Sequence, residues 1–357
     1  MPARRNASFR DAGGSSAANR ESITTASQRE HLTCSQQNNN STNQTAIPLP
    51  PRIDELRMFY NTTIRPELYR LERLRVRIIR GILVSLIAVA ILFIAFVVFD
   101  LGFLIFLLAM PIIFYVGSLY YRIEKFRQAF KPAIINLLLE FLNDAPNYRS
   151  LSYDPKHAIH QDRFERSGLF RPMPDSYHAE DYIKGLVGEM AFEMGETYVK
   201  EISPASNRLL TVFSGLFVHA VFNEPTTGRI AVWPRHNLRR LKRTVDAYVS
   251  KGGKPADIEI MNPGFREEFA VYAHSGTHVA GILTPPMQDA LLEFARTQEQ
   301  DIFFAVHNQD LFIGVAHDYD MLEPNFFSSN LSFSIIRKFY TDITLMLGVI
   351  SDFDQTH

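Results

Sequence analysis

A single cysteine, Cys34, stands in the whole 357-residue chain. No disulfide framework and no thiolate metal cage can be built from it. Charge of one sign is not in excess either. The 37 Lys and Arg residues against 38 Asp and Glu leave a formal net charge of −1. Such a chain has no overall electrostatic drive toward nucleic acid or acidic partners. Met1 to Gln44 contains no apolar run, so no N-terminal signal peptide is expected. A phosphate-cradling glycine loop is missing: Gly185-Leu186-Val187-Gly188 has neither a third glycine nor a Lys-Ser/Thr pair. A nucleophile elbow is missing too, because Ser214-Gly215 lies inside a strand-like run. These absences argue against an enzyme, and no cofactor is expected.

What is present divides sharply along the chain. Residues 1–51 are low in complexity, dominated by Ser, Asn, Gln, Thr and Ala. They hold too little apolar surface to offset the entropy of ordering, and read as a disordered tail. Residues 52–80 read as an amphipathic helix through Leu56, Phe59, Leu68, Leu71, Leu74 and Ile78, with a break expected near Pro66. From 81 to 121 the only formally charged residue is Asp100. Each side of it is about as long as a bilayer core requires, which predicts a two-span transmembrane helical hairpin turning at Asp100-Leu101-Gly102. Arg70, Arg73, Arg75, Arg77 and Arg80 precede the first span, and Arg122, Lys125, Arg127 and Lys131 follow the second. The positive-inside rule then places both termini in the cytoplasm, on a multi-pass protein of the inner (plasma) membrane.

Residues 122–142 continue as a second amphipathic helix through Ile123, Phe126, Phe130, Ile134, Leu137 and Phe141, and 143–181 reads as a connector. The remainder, 182–357, predicts a cytoplasmic α+β domain with a mainly antiparallel sheet and flanking helices. Strands are expected at 187–198, 209–222, 229–233, 258–261 and 268–273, with a hairpin of 302–307 and 311–317. Helices are expected at 237–250, capped by Asn237, at 284–297, capped by Thr284 with Pro285 first, and at 333–353.

Certain stretches in order resemble a known family. They are Phe59-Tyr60, Pro66-Glu67-Leu68 and Leu71-Glu72, then the apolar hairpin, then Ser167-Gly168-Leu169-Phe170. Val212-Phe213-Ser214-Gly215-Leu216-Phe217 with Phe222-Asn223 comes next, and last Phe265 through Phe269-Ala270-Val271-Tyr272-Ala273 to Ile282-Leu283-Thr284-Pro285. Together, from Phe59 to about Phe326, they resemble the bacterial family known as domain of unknown function 3137. The chain departs from it at His274 to Gly281, where the family has an acidic turn containing Glu-Ala-Arg. The resemblance implies a membrane-associated bacterial protein and brings no established activity or catalytic residues.

Several residue groups invite a chemical reading. His157 and His160, with Asp154 and Asp162 beside them, form a His-carboxylate cluster able to ligate a divalent ion. His274 and His278 are four apart, a metal-binding spacing on a helix, but Ser275-Gly276-Thr277 favours a turn. Glu189 and Glu193 share one face of a strand and are expected to be solvated. Arg239, Arg240, Lys242 and Arg243, with His236, form the densest basic patch of the domain, suited to anionic lipid headgroups. No aromatic stacking platform accompanies it, so nucleic acid is not expected. The sequence therefore predicts a membrane-anchored, non-catalytic binding or scaffold module. The lipid bilayer and a protein partner are its expected contacts. The alternative is a membrane-bound, metal-dependent enzyme using His157 and His160.

Overall fold

A computed structural model describes residues 53–99, 102–171, 174–203, 206–222, 228–317 and 323–356. The tail, the centre of the expected hairpin turn, and most of the Asn223–Gly228 turn lie outside those residues. Helix α1 (Ile53–Phe59) passes through one π-helical stretch, Tyr60–Ile64, into α2 (Arg65–Phe99). The wide turn sits immediately before Pro66, whose ring and missing N–H disfavour a regular turn there. The break expected from the sequence is thus a local widening, and the helix continues. α3 (Gly102–Asn143) runs unbroken through Pro111 and Pro132. It lies against α2 closely enough that a side chain on Gly81 would collide with Leu119 and Tyr115.

The rest of the chain builds one nine-stranded sheet, antiparallel at every pairing. Its strands are β1 (Tyr148–Asp154), β2 (Ser176–Val187), β3 (Met190–Ile202), β4 (Leu209–Val221), β5 (Arg229–Pro234), β6 (Gly253–Pro255), β7 (Phe269–His274), β8 (Ile302–His307) and β9 (Asp310–Ala316). Their spatial order is β1-β2-β3-β4-β9-β8-β5-β7-β6. The helices are α4 (Gln161–Ser167), α5 (Lys242–Ser250), α6 (Pro263–Glu268), α7 (Val279–Ile282), α8 (Pro285–Gln298) and α9 (Phe333–Thr356). The fold is α+β with a large antiparallel sheet, as the pattern of elements predicts.

Both faces of the sheet are covered, because alternate residues of its central strands are apolar on both sides. On one face Phe304, Ile313 and Val218 pack with Leu68, Ile134 and Leu138 of the long helices and with Ile343 and Leu347 of α9. Arg75 is buried there, paired with Glu72 at 2.5 Å, and donates to the Phe326 carbonyl at 2.9 Å. On the other face Phe213, Phe217, Phe303 and Phe312 pack under Phe164, Phe170 and Tyr248.

Four expectations need correction. The segment 143–181, read as a connector, holds β1, α4 and the first half of β2, and it covers one face of the sheet. Ile258–Met261 is not a strand: 257–259 is a 3-10 turn, and Ile258 and Met261 are 94% and 90% exposed, with no sheet for their side chains to face. Asn237 does not cap α5, because its amide donates to Asp301 and the helix begins after it, at Lys242. Glu193 is not solvated, because Arg163 of the supposed connector and Tyr182 of β2 lie over it.

Among the described residues one helix, Ile53–Ala95, is long and apolar enough to cross a membrane, and most of its apolar stretch is exposed. Leu101 and the side chains of 102–109, which begin the second expected span, lie outside the description.

Candidate functional site

A cleft of about 760 Å³ opens over the second face of the sheet between α4 and α5. Its floor is a row of strand ends. Arg229 opens β5 and is the register partner of His307, which closes β8. His274 closes β7 on the other side of β5, and it pairs with Gly253 of β6. One wall is α4 and the residues after it, with Arg163, Arg166 and Arg171. The opposite wall is α5 and its end, with Thr244, Tyr248 and Lys251.

The walls are held by specific bonds. α4 starts at His160, whose Nδ1 accepts from the Asp162 amide, and ends at Gly168, which adopts the left-handed conformation at φ 65°. A glycine suits this position because other side chains resist positive φ and because His307 stands 3.4 Å from where a Cβ would lie. Trp233, fully buried, donates from its indole to the Leu169 carbonyl at 3.1 Å. Thr244 Oγ1 accepts from the Arg171 amide at 2.9 Å and donates to the Arg171 carbonyl at 3.2 Å. The chain after α4 is thereby fixed to both β5 and α5.

The electrostatics are one-sided. Arg163 is paired with Glu193 at 3.0 Å. The side chains of Arg166, Arg171, Arg229 and Lys251 make no ion pair among the described residues. Two carboxylates also line the rim. Asp162 is exposed beside His160, and Glu165 accepts from Gln161 at 2.7 Å. Two buried polar atoms of the cleft residues have no partner among the described residues, the Tyr248 hydroxyl and His307 Nε2. Burial and the nearby Arg229 hold the His307 imidazole far below its ordinary range, at about 4. The same two causes lower His274. Burial pushes the Tyr248 phenol up, so it stays protonated. Unpaired cations lining one cleft give it the chemistry to take an anion.

The residues singled out in the sequence fall elsewhere for the most part. His157 is exposed and packs on the Tyr182 ring with centroids 4.7 Å apart, while His160 stands on the cleft rim. Neither joins a three-ligand group. The only such group among the described residues is Glu180, Asp181 and Glu196. There Lys131 meets Asp181 at 2.7 Å and Tyr153 donates to its other oxygen, so a built-in ammonium already supplies positive charge. His274 and His278 flank a turn and share no helix face. Of the basic patch, Arg240 donates to the Thr211 carbonyl at 2.6 Å, Lys242 pairs with Asp246 at 2.5 Å and Arg243 with Glu201 at 2.7 Å. Arg239 is exposed.

The cleft cations were hidden because they come from three separate stretches, α4 with the residues after it, the start of β5 and the end of α5. Two signals could have found them: three arginines within 163–171, and a histidine closing the apolar run 302–306.

No curated protein and no solved structure matches the chain. Residues 211–355 match the family described as protein of unknown function (DUF3137), which supports the resemblance seen in the sequence.

Proposed function

We propose that this chain is a non-catalytic binding module, held at a membrane by a two-span helical hairpin with both termini in the cytoplasm, whose cleft takes an anionic ligand. The observation that carries the binding reading is the cleft itself. Four cations without an ion pair among the described residues line it. Like charges gathered in one cleft repel, solvent and the rim carboxylates of Asp162 and Glu165 offset part of that repulsion, and an anion removes more of it.

The membrane reading is supported by what α2 and α3 leave uncovered. Leu83, Val84, Ile87, Ile91 and Ile94 on α2, and Ile113, Phe114 and Val116 on α3, are all exposed. At about 25 cal/mol per Å² this is a large penalty in water and none in lipid. The arginines at 70–80 and the basic residues at 122–131 flank that surface on the cytoplasmic side.

Isothermal calorimetry of the full chain in detergent micelles with inorganic phosphate tests the binding reading. Saturable binding is expected at low salt, and R229E/K251E should weaken it at least tenfold. No binding by the unmutated chain would overturn the anion reading. Topology is tested separately. Cys34, the only native thiol, and a cysteine placed at Thr356 should both resist an impermeant reagent applied outside intact cells. Labelling of either one overturns the hairpin.

A further inference from the structure

We infer that the tip of the β3–β4 hairpin is a second lipid contact. Its exposed apolar side chains enter the headgroup layer of an anionic bilayer, and the basic residues around it take lipid phosphates. This contact rests on the reading of α2 and α3 as a transmembrane hairpin. Ile202 closes β3, and Leu209 and Leu210 open β4. They are 45%, 57% and 49% exposed, whereas Val199 and Phe213, a few residues inward on the same strands, are buried. Three aliphatic side chains gathered at one hairpin end favour an apolar partner. The turn beneath them is closed by backbone bonds, from the Ser203 amide to the Arg208 carbonyl and from the Asn207 amide to the Ser203 carbonyl, both at 2.8 Å.

Register places this tip at the height of the span ends. Asn143, at the end of α3, bonds both backbone groups of Leu151, which lies against Gly185. Nearer the spans, Lys131 meets Asp181 at 2.7 Å, and Ile135 shares a small cavity with Ile183, Met194 and Leu216. β2 therefore descends toward the spans from Gly185 to Ser176, and antiparallel β3 descends from Met190 to Ile202. Ile135 is fourteen residues from Tyr121, about 21 Å along a helix. Met194 is eight residues from Ile202, about 26 Å along a strand. The strand thus reaches the height of Tyr121 even when tilted by about 35° from the helix axis. A headgroup layer of roughly 5–8 Å begins there.

The loop before α9 repeats the pattern. The Phe326 carbonyl accepts from Arg75 at 2.9 Å, and its ring meets that of Phe126 with centroids 6.5 Å apart. Arg75 and Phe126 stand six and five residues outside Gly81 and Tyr121, about 8–9 Å along the helices. Beside Phe326, Phe327 is 88% exposed.

The charge around the tip suits anionic lipid. Lys200, Arg208 and Arg239 are exposed and make no ion pair among the described residues. Arg240 reaches the tip strand itself, donating to the Thr211 carbonyl. Of the two carboxylates nearby, Glu201 is paired with Arg243 and Asp175 accepts from the Ile202 amide. Cations ringing an apolar tip combine attraction to lipid phosphates with burial beneath them.

The test uses the full chain with C34S in nanodiscs of phosphatidylglycerol and phosphatidylcholine, with a single cysteine carrying a fluorophore. L209C should be quenched by lipid bearing a headgroup nitroxide, and E189C, in the β2–β3 turn at the opposite end, should not. I91C, in the first span, should be quenched by lipid bearing an acyl-chain nitroxide. R208E/R239E should lower the quenching of L209C about twofold, and so should ~1 M salt, where the Debye length is about 3 Å. If L209C does not fold, L210C takes its place. Quenching at residue 91 with none at 209 or 210 overturns the tip contact and leaves the hairpin standing. Equal quenching at 189 and 209 overturns it too, because the sheet would then lie along the surface. Quenching at 209 that ignores both charge reversal and salt overturns the anionic-lipid assignment. No quenching at residue 91 overturns the membrane reading itself.

Discussion

Arg229 and His307 are register partners on neighbouring antiparallel strands, so a permanent cation stands beside a half-buried imidazole. The pair makes the fold sensitive to mild acid. The folded-state value of His307, about 4, lies below the unfolded value of about 6.5. As pH falls from about 6.5 the unfolded chain takes up a proton that the folded chain refuses, so stability is present above that range and is lost toward pH 4. The loss should approach roughly 3 kcal/mol, at 1.36 kcal/mol per pH unit. Urea midpoints at pH 7.5, 5.5 and 4.5 should fall more steeply for the native chain than for H307F. Parallel profiles would mean that His307 is protonated in the fold.

Glu193 gives an acid sensitivity at lower pH. Its carboxylate meets His219 Nδ1 at 3.0 Å, Arg163 at 3.0 Å and the Tyr182 hydroxyl at 3.0 Å, while Asp310 takes the other nitrogen of His219 at 2.7 Å. The His219 bond, outweighing burial, holds Glu193 below the usual carboxylate range. Its stabilisation is therefore complete above the unfolded value of about 4.3 and disappears as pH falls through the depressed one. E193Q should cost about 1–3 kcal/mol at pH 7, and the gap to the native chain should close below about pH 4. A gap that stays constant with pH would show that the charge is irrelevant.

Thr244 holds one wall of the cleft with two bonds to the backbone of Arg171. T244V keeps the shape and leaves both Arg171 groups without that partner, at a cost of about 1–3 kcal/mol. It should also weaken phosphate binding several-fold, because Arg171 is no longer positioned. Chemical denaturation and calorimetry on one preparation would check both. Lost stability with unchanged affinity would remove Arg171 from the site.

Gly215 sits in β4 at φ 152°, where an added Cβ would collide with the Val315 carbonyl oxygen. The clash is with backbone of a central strand and cannot be relieved by a rotamer change. G215A should destabilise by more than about 2 kcal/mol. A thermal midpoint within 2 °C of the native one, roughly half a kcal/mol, would contradict that.

Much of the sheet was legible. Thr284-Pro285 marked the start of α8, Asn308-Gln309 the tight turn of the β8–β9 hairpin, and the apolar run from Leu209 a central strand. One misreading hid most of the rest. Pro, Asp and His between 143 and 181 suggested a connector, but Tyr148–Asp154 pairs with β2 as an edge strand, and α4 covers a sheet face. Without that cover, Glu193 reads as solvated and the second wall of the cleft does not exist. The basic patch was conspicuous because its charges are contiguous in sequence. The cleft's charges converge only after α4, β5 and α5 are brought together.

That convergence has a consequence for α4. The cleft joins the strand ends and α5, which belong to the family segment 211–355, to a seven-residue helix that precedes it. A helix so short has little stability of its own. A ligand touching both walls adds bonds between α4 and the sheet, and its binding energy becomes resistance to local opening. The amides of 163–171 would then exchange with solvent more slowly in the bound state than in the free one, so occupancy could be read from the backbone of a helix rather than from the ligand.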